Sequence, residues 1–593
     1  MSARGLSVWT AMVVAVAAWA APVPFERTLP EETIFYMNVA SVPRFVEKAG
    51  QAGFLAALED PQLQRFLEKP KEALAKAVQD EFGMTLSDVG AIFHGQALLA
   101  VTLEAPAEGE LKAGVFVLLE TGPRGGALMG IMQRLQEKIL AEDEKVFERV
   151  EDDEGGVRII GWMPLVKEGE AAKADEARQG FHYALAKDVF VAGTPLSAVK
   201  AALRHLADPP ASALVNTENH TRTMQRVGSD LEGAAFLDLA AIMRTVKPKE
   251  DPLWPAKMRA LGLDTLLGAG AGFAFQERSS VTRMFLRTTG EKRGVSAILA
   301  PEPGPLMDAG DIPSDVQMFG SMRLSLKTIW AEARKIATAF FPPFEVAYQQ
   351  QMAKLSEQLG QPFDVGKDVV AVFGDRVSMY QSAAAGGEDG DPQAVLIVDV
   401  VSREAFEGLW AKLGRLAPFL SQMVVTQDYL GQTLYAFKRP GGEEGAAGTP
   451  LPAFCVLEDR LVFGARREET ERYLRFLNGK GESLKDVAAY QQAMAALPAE
   501  GWTGMAYADQ RKGAKGNADK TKEAWAMVRD RLQQGMEDAP APIKAILEAV
   551  DWDQAPPMDA LAGYQDVGSA CLQTVEDGLL LVGVSIPGKA AAK

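Results

Sequence analysis

The feature that most constrains this chain is an internal echo, because a period repeated along a sequence settles the architecture before any local reading does. Elements of the first half return in the second, in the same order and at a slowly drifting offset. Leu29-Pro30, which opens an alternating apolar run, returns as Ile312-Pro313. The passage from Gly83 to Phe93 returns as Gly360 to Phe373, Val115 to Leu119 as Val395 to Asp399, and Gly156 to Ile160 as Gly431 to Tyr435. Lys187 to Gly193 matches Glu458 to Gly464, and the helix bearing Val199, Leu203 and Leu206 matches Thr470, Leu474 and Leu477. Phe236-Leu-Asp238 then matches Tyr507-Ala-Asp509, and Asp264 to Gly268 matches Asp559 to Gly563. The offset drifts at polar stretches near 167–179 and 511–522, which is where loops absorb insertions. The expected division is a repeat over 21–289, a linker over 290–311 carrying Pro301, Pro303, Gly304 and Pro305, and a second repeat over 312–593.

Periodicity gives the class. Strands are expected at 33–39, 89–103, 112–120, 156–163, 180–193, 233–238 and 266–288, with helices at 42–79, 124–141, 195–207 and 217–228. Tight turns such as Ala186-Lys187-Asp188 require antiparallel neighbours. The expected fold is therefore α+β: two tandem homologous repeats, each a large, mainly antiparallel sheet with helices packed on one face.

The N-terminus reads as an export signal. Arg4 precedes an apolar stretch from Val8 to Ala18, and Ala18-Trp19-Ala20 supplies a small-x-small site with cleavage expected after Ala20. This predicts a periplasmic or otherwise extracytoplasmic protein, with no transmembrane segment in the mature chain. The balance of 62 Lys and Arg against 79 Asp and Glu, net −17, argues against nucleic acid as a partner, since that binding neutralises phosphates with basic side chains. The two cysteines, Cys455 and Cys571, lie in apolar strand-like runs. Export permits a disulfide between them, and two buried free thiols fit equally.

The segment Leu29-Pro30-Glu31-Glu32-Thr33, with Asp60-Pro61-Gln62-Leu63-Gln64-Arg65-Phe66 after it and the passage from Gly83 to Leu99 beyond, resembles the opening of an uncharacterised bacterial family of large exported proteins that carry a domain of unknown function. The resemblance covers most of the first repeat and, more loosely, the second, which lacks the Asp-Pro segment. It implies export and the fold, and no reaction.

Motifs with chemistry are sparse. The four histidines, His94, His182, His205 and His220, all fall in the first half, and no two make the i, i+4 pair of a helical zinc site. Ser197-Ala-Val-Lys200 matches a nucleophile and base pattern without its companion elements, and Thr194-Pro195 reads as a helix N-cap followed by proline. Gly268-Ala-Gly270-Ala-Gly272 lies in a strand with no following helix to hold a pyrophosphate, so it reads as a seat for a packed helix. Gly479-Lys480-Gly481 lacks the Ser or Thr of a phosphate loop, and Glu388 to Asp391 lacks the spacing of a calcium loop. Asp238 and Asp509 recur after equivalent strands, as helix caps or as paired acids. Arg511, Lys512, Lys515, Lys520 and Lys522 have no aromatic neighbours for base stacking and read as a mobile surface loop.

No catalytic, cofactor-binding or metal-binding residue is assigned. The expectation is an exported non-catalytic protein that binds an unknown small molecule or an envelope protein, or serves a structural role. Two alternatives are a periplasmic hydrolase whose site assembles only in the fold and a protein-protein scaffold in the cell envelope.

Overall fold

The computed structural model describes residues 24–588, apart from 51–55, 105–111, 143–146, 165–179, 246–250, 277–278, 383–392, 439–450, 480, 514–524, 528, 533–540, 558–560 and 562. The cleavage site after Ala20 and the acidic turn at 388–391 lie outside the described residues. Among those described, no helix is long and apolar enough to cross a membrane.

The first half contributes β1 (Thr33–Val39), β2 (Ala97–Glu104), β3 (Lys112–Glu120), β4 (Phe147–Glu154), β5 (Val157–Pro164), β6 (Phe181–Ala186), β7 (Val189–Thr194), β8 (Gly233–Leu237), β9 (Leu266–Gln276) and β10 (Ser279–Thr288). The second contributes β11 (Val316–Arg323), β12 (Phe373–Ser382), β13 (Gln393–Val400), β14 (Val424–Tyr429), β15 (Gln432–Phe437), β16 (Ala453–Val456), β17 (Arg460–Gly464), β18 (Trp502–Asp509), β19 (Val567–Val575) and β20 (Gly578–Ile586). Every pairing is antiparallel. In the first half the strands run β4-β5-β6-β7-β3-β2-β1-β8-β9-β10 across the sheet. In the second they run β14-β15-β16-β17-β13-β12-β11-β18-β19-β20, the same order.

The halves join through β10 and β20, from Ser280 opposite Ser585 to Arg287 opposite Gly578, so one sheet runs through the molecule. Arg283 stands opposite Val582, which occupies the equivalent place in the other hairpin. A pseudo-two-fold axis therefore passes through that pair, and the junction is self-complementary, as in an isologous dimer contact.

The register fixes which residues of the two halves correspond. Tyr36 with Phe319, Ala100 with Tyr380, Ile159 with Leu434, Gly193 with Gly464 and Phe236 with Tyr507 follow from the paired positions. Two sequence matches are corrected. In β3 it is Phe116, not Val115, that corresponds to Val395, since Phe116 lies opposite Ala100 and Gly193 as Val395 lies opposite Tyr380 and Gly464. A slip of one residue exchanges the two faces of a strand: Phe116 is buried whereas Val115 is exposed. In β9 the counterpart of Gly270 is Ser569, which displaces the match of Gly268 with Gly563 by four positions.

Helices α1 (Pro24–Arg27), α2 (Val42–Gly50), α3 (Pro61–Phe82), α4 (Gly125–Glu142), α5 (Leu196–Ala207), α6 (Glu218–Val227), α7 (Leu239–Thr245) and α8 (Trp254–Leu261) belong to the first half. The second has α9 (Leu326–Phe340), α10 (Phe344–Leu359), α11 (Arg403–Leu416), α12 (Arg467–Leu477), α13 (Ala488–Ala495), α14 (Gln510–Gly513) and α15 (Ala541–Glu548). The long helix expected over 42–79 is thus broken into α2 and α3. The strand expected from 89 starts only at Ala97, because Leu86–Gly90 forms a helical turn capped by Thr85 and Asp88. Strand β4, FERVEDDE, was not expected at all. Its charge suits it to the sheet edge, where it pairs with β5 alone and acidic side chains discourage further pairing.

One face of the sheet carries the main core. Tyr36, Phe116, Ile159, Val191 and Phe236 pack against α5 and α6, while Phe319, Tyr380, Ile397, Val462 and Tyr507 pack against Tyr473 and Ala493 of α12 and α13. Each fully buried large side chain contributes about 1.5–3 kcal/mol. The glycines of β9 make room for α6: a Cβ at Gly270 would lie 2.9 Å from Thr223 and Val227. On the opposite face α4 covers the outer strands through Leu128, Met132 and Leu135, whereas Met284, Met318, Met322, Met379, Leu396 and Leu581 of the central and second-half strands are exposed.

The halves also interlock through their helices. Leu63 and Phe66 of α3 bury against Leu561, with Trp525 and Trp552 around them, so the Asp-Pro segment caps α3 at Asp60 and docks it on the second half. In the related place Lys257 of α8 lies over the Phe340 ring of α9. The stretch expected to be a linker packs as well. Gly294 donates its N–H to the buried Glu332 at 2.7 Å, and Met307 and Ala309 join the second-half core.

Cys455 on β16 and Cys571 on β19 are both buried and free. Six inter-strand steps of about 4.8 Å separate their strands, far beyond the roughly 7 Å Cα separation a disulfide tolerates. The possible bond is therefore corrected to two buried thiols, each with its pKa pushed up to about 11 by burial.

Candidate functional site

At the sheet edge where β1 and β9 begin and β8 and β10 end, the first half holds an open cleft of about 820 Å³. The turn before β1 supplies Glu31 and Glu32, the N-terminus of α6 supplies Glu218 and Asn219, and Asp238 follows β8. Ala240, Ala241 and Arg244 of α7 form one wall, with Arg287 of β10 opposite them in the lining. With Leu103 of β2 and Leu267 of β9 the lining comes from six segments, gathered only because the strands lie side by side.

The polar partners inside the cleft are partly used. Asn219 Nδ2 donates to the Leu267 carbonyl at 2.8 Å, and its Oδ1 accepts from Arg287 Nη1 at 3.0 Å. Glu218 lies 3.7 Å from Arg287 and 3.0 Å from Arg222. Arg287 is buried and its Nε has no partner. Asp238, only 8% exposed, caps α7 by accepting the Ala241 N–H on Oδ1 at 2.7 Å. Among the described residues it makes no ion pair. With four acids and two arginines in the lining, the cleft is acidic on balance.

The second half fills the corresponding position. Ala240 and Ala241 correspond to Arg511 and Lys512 of α14, and Asn219 to Tyr490. Arg511 clasps Asp509, the counterpart of Asp238, through two hydrogen bonds of 2.8 and 2.9 Å. Lys512 Nζ donates to the carbonyls of Ser314 and Val316 at 2.8 and 3.1 Å, and the Tyr490 ring packs edge-on against Tyr507. Arg511 and Lys512 are thus pinned against the fold, contrary to their reading as part of a mobile loop; Lys515, Lys520 and Lys522 lie outside the described residues.

The remaining sequence candidates do not converge. Lys200 pairs with Asp152 at 2.8 Å rather than with Ser197, which is exposed on the first turn of α5. That helix is capped by Pro195 without a side-chain bond, and the Thr194 hydroxyl is unpaired, so the expected Thr194 cap is not formed. His94 is exposed. His182 is buried on β6, and desolvation lowers its pKa. His205 is half-buried on α5, its pKa also lowered mainly by burial. Asp238 and Asp509 sit at opposite edges of the sheet. No group of three or more His, Cys, Asp or Glu positioned for a metal occurs among the described residues.

One buried cluster escaped the sequence reading. Tyr36 Oη and His220 Nε2 share a 2.9 Å hydrogen bond inside the first-half core, and Asn38 Nδ2 donates to Glu26 Oε1 at 2.6 Å. Burial pushes the Glu26 carboxyl up to about 7 against the lowering effect of Tyr36 and Asn38, and pushes His220 down to about 4. The only signal in the sequence was a histidine at the second position after an N-terminal glutamate on an amphipathic helix, which is too common to point anywhere.

No family model matches the chain, and no curated protein matches it. Among solved structures, crystal form I of TP0453 is similar over 48% of this chain and 88% of its own, at 9% identity and a TM-score of 0.21.

Proposed function

We propose that this chain is a non-catalytic binding protein of an extracytoplasmic compartment and that the first-half cleft is its ligand site. The observation that carries this reading is the contrast between corresponding places. One half plugs the position with Arg511 and Lys512, whereas the other leaves it open and lined with polar groups. Clefts with a few convergent polar groups are where small molecules bind. The scattered histidines, the engagement of Lys200 with Asp152 and the separation of Asp238 from Asp509 support binding over catalysis. The N-terminal stretch from Arg4 to Ala20, read as an export signal, supports the compartment.

The test is purification of the mature chain from its native envelope, with mass spectrometry of co-eluting small molecules, alongside an Ala240→Arg/Ala241→Lys variant that plugs the cleft. The expected result is a ligand in stoichiometric amount on the wild type and its absence from the variant. Equal retention by both would overturn the assignment of the site.

A further inference from the structure

We infer that the cleft takes a small ligand bearing a guanidinium or primary ammonium group; this rests on the reading of the cleft as the ligand site. The second half acts as an internal template. There, the acid that follows the eighth strand is satisfied by a guanidinium in a two-bond clasp, and the carbonyls at the start of the first strand are satisfied by an ammonium. In the first half the same acid is present as Asp238, and the corresponding carbonyls are those of Glu31 and Thr33. The side chains that would serve them have been reduced to Ala240 and Ala241.

Asp238 is therefore a carboxylate nine-tenths buried in a cleft wall; among the described residues no cation pairs with it, and their hydrogen bonds reach only its Oδ1. A buried charge is stable when paired and hydrogen-bonded, and a guanidinium pairs a carboxylate through two parallel bonds. Glu31 and Glu32 add negative charge to the lining and make no ion pair among the described residues. Arg287 does not reverse the sign, because Asn219 and Glu218 already face it; Arg244 is the one cation in the lining without an ion pair among the described residues. The removal of two long side chains leaves the room a small cation needs.

The experiment is calorimetric titration of the full mature chain with agmatine, arginine and citrulline, the last replacing the guanidinium of arginine by a neutral urea. Charge-assisted hydrogen bonds contribute about 1.5–3 kcal/mol, roughly ten- to hundredfold in affinity. Agmatine and arginine are expected to bind, and citrulline to bind at least about tenfold more weakly than arginine. Asp238→Asn should weaken agmatine by a similar factor, and Ala240→Arg/Ala241→Lys should abolish its binding. Circular dichroism of each variant establishes that it is folded, and Asp509→Asn, which touches only the plugged position, should bind agmatine as the wild type does. Equal affinity for arginine and citrulline, or agmatine binding indifferent to the Asp238 and plug variants, overturns the inference. A neutral or anionic ligand displaced by the plug variant would overturn the cation while leaving the cleft as the site. No cleft-dependent ligand of any charge would remove both.

Discussion

The two halves share a strand order and a register yet hide their polar groups in different places. In the first half one buried polar cluster joins Tyr36, Asn38 and His220, with Glu26 at its margin. The second half has Phe319, Ser321, Gln491 and Ala309 at those positions. Its larger polar cluster lies elsewhere: Arg460 donates to Asp311 and Asp459, each at 3.0 Å, beside the buried Tyr473, Tyr380 and Glu469. The first half has Val189, Ala202, Ala100 and Ala198 there. The lesson is that the backbone frame tolerates a polar cluster in either place, each held by its own internal hydrogen bonds, although Asn38 Oδ1, His220 Nδ1, Glu469 Oε1 and Tyr473 Oη have no hydrogen-bond partner among the described residues. The edge cleft follows the same logic, since an acid common to both halves is satisfied internally in one and left available in the other.

The largest effect expected from breaking this comparison is loss of a shared core position. Phe236→Ala removes a ring that packs on both Tyr36 and His220. It should cost about 3–5 kcal/mol in denaturant unfolding, and a cost under about 1 kcal/mol would mean that the first-half core is not packed as described.

Next in size is a difference in pH response. His220 is held neutral by burial at a pKa of about 4, below its unfolded value, so its contribution is complete above about pH 6.5 and is lost as the pH falls toward 4. Glu26, raised to about 7, behaves oppositely: its contribution is complete below about 4.5 and is lost as the pH rises through 7. Between about 4.5 and 6.5 the two slopes oppose one another. His220→Gln, which installs the second-half residue, should therefore gain about 2 kcal/mol relative to the wild type as the pH is lowered from 6.5 to 4.5. Parallel stability curves for the two proteins would contradict the assignment of a neutral buried histidine.

Smaller again is Tyr36→Phe, which copies Phe319 while leaving His220 without its partner. About 1–3 kcal/mol should be lost, and adding Glu26→Ala, Asn38→Ser and His220→Gln should restore part of it, because removing every partner is milder than orphaning one. Urea midpoints of the single and quadruple variants measure the coupling, and strict additivity would argue against a linked cluster. The smallest expected effect is that of a reductant. With Cys455 and Cys571 six strands apart, dithiothreitol should leave the melting temperature unchanged, and a shift of several degrees would reopen the disulfide.

Most strands were legible because they alternate with a period of two, and the helices α4, α5 and α6 because their apolar spacing is helical. The slip in β3 has a physical cause. Its run Val115-Phe-Val-Leu-Leu119 is apolar on both faces, with Phe116 and Leu118 in one core and Leu119 in the other, so alternation could not set its register. Strand β4 was missed because an edge strand protected by charge reads as a loop. The cleft was illegible for a different reason: its residues are spread from Glu31 to Arg287, and each is ordinary alone. Its one trace in the sequence was the change from Ala240-Ala241 to Arg511-Lys512 between corresponding places, which acquires meaning only when Asp238 and Asp509 are seen to face those positions.

By itself, the sequence determined the repeated order of elements, the antiparallel hairpins and the α+β class, because these depend on local patterning and short turns. Only the tertiary structure decided that β10 and β20 fuse the halves into one sheet, that the cysteines stay apart, and that one edge is plugged while the other stands open. Those outcomes depend on contacts between residues far apart in the chain, and local periodicity carries no information about which distant groups will meet.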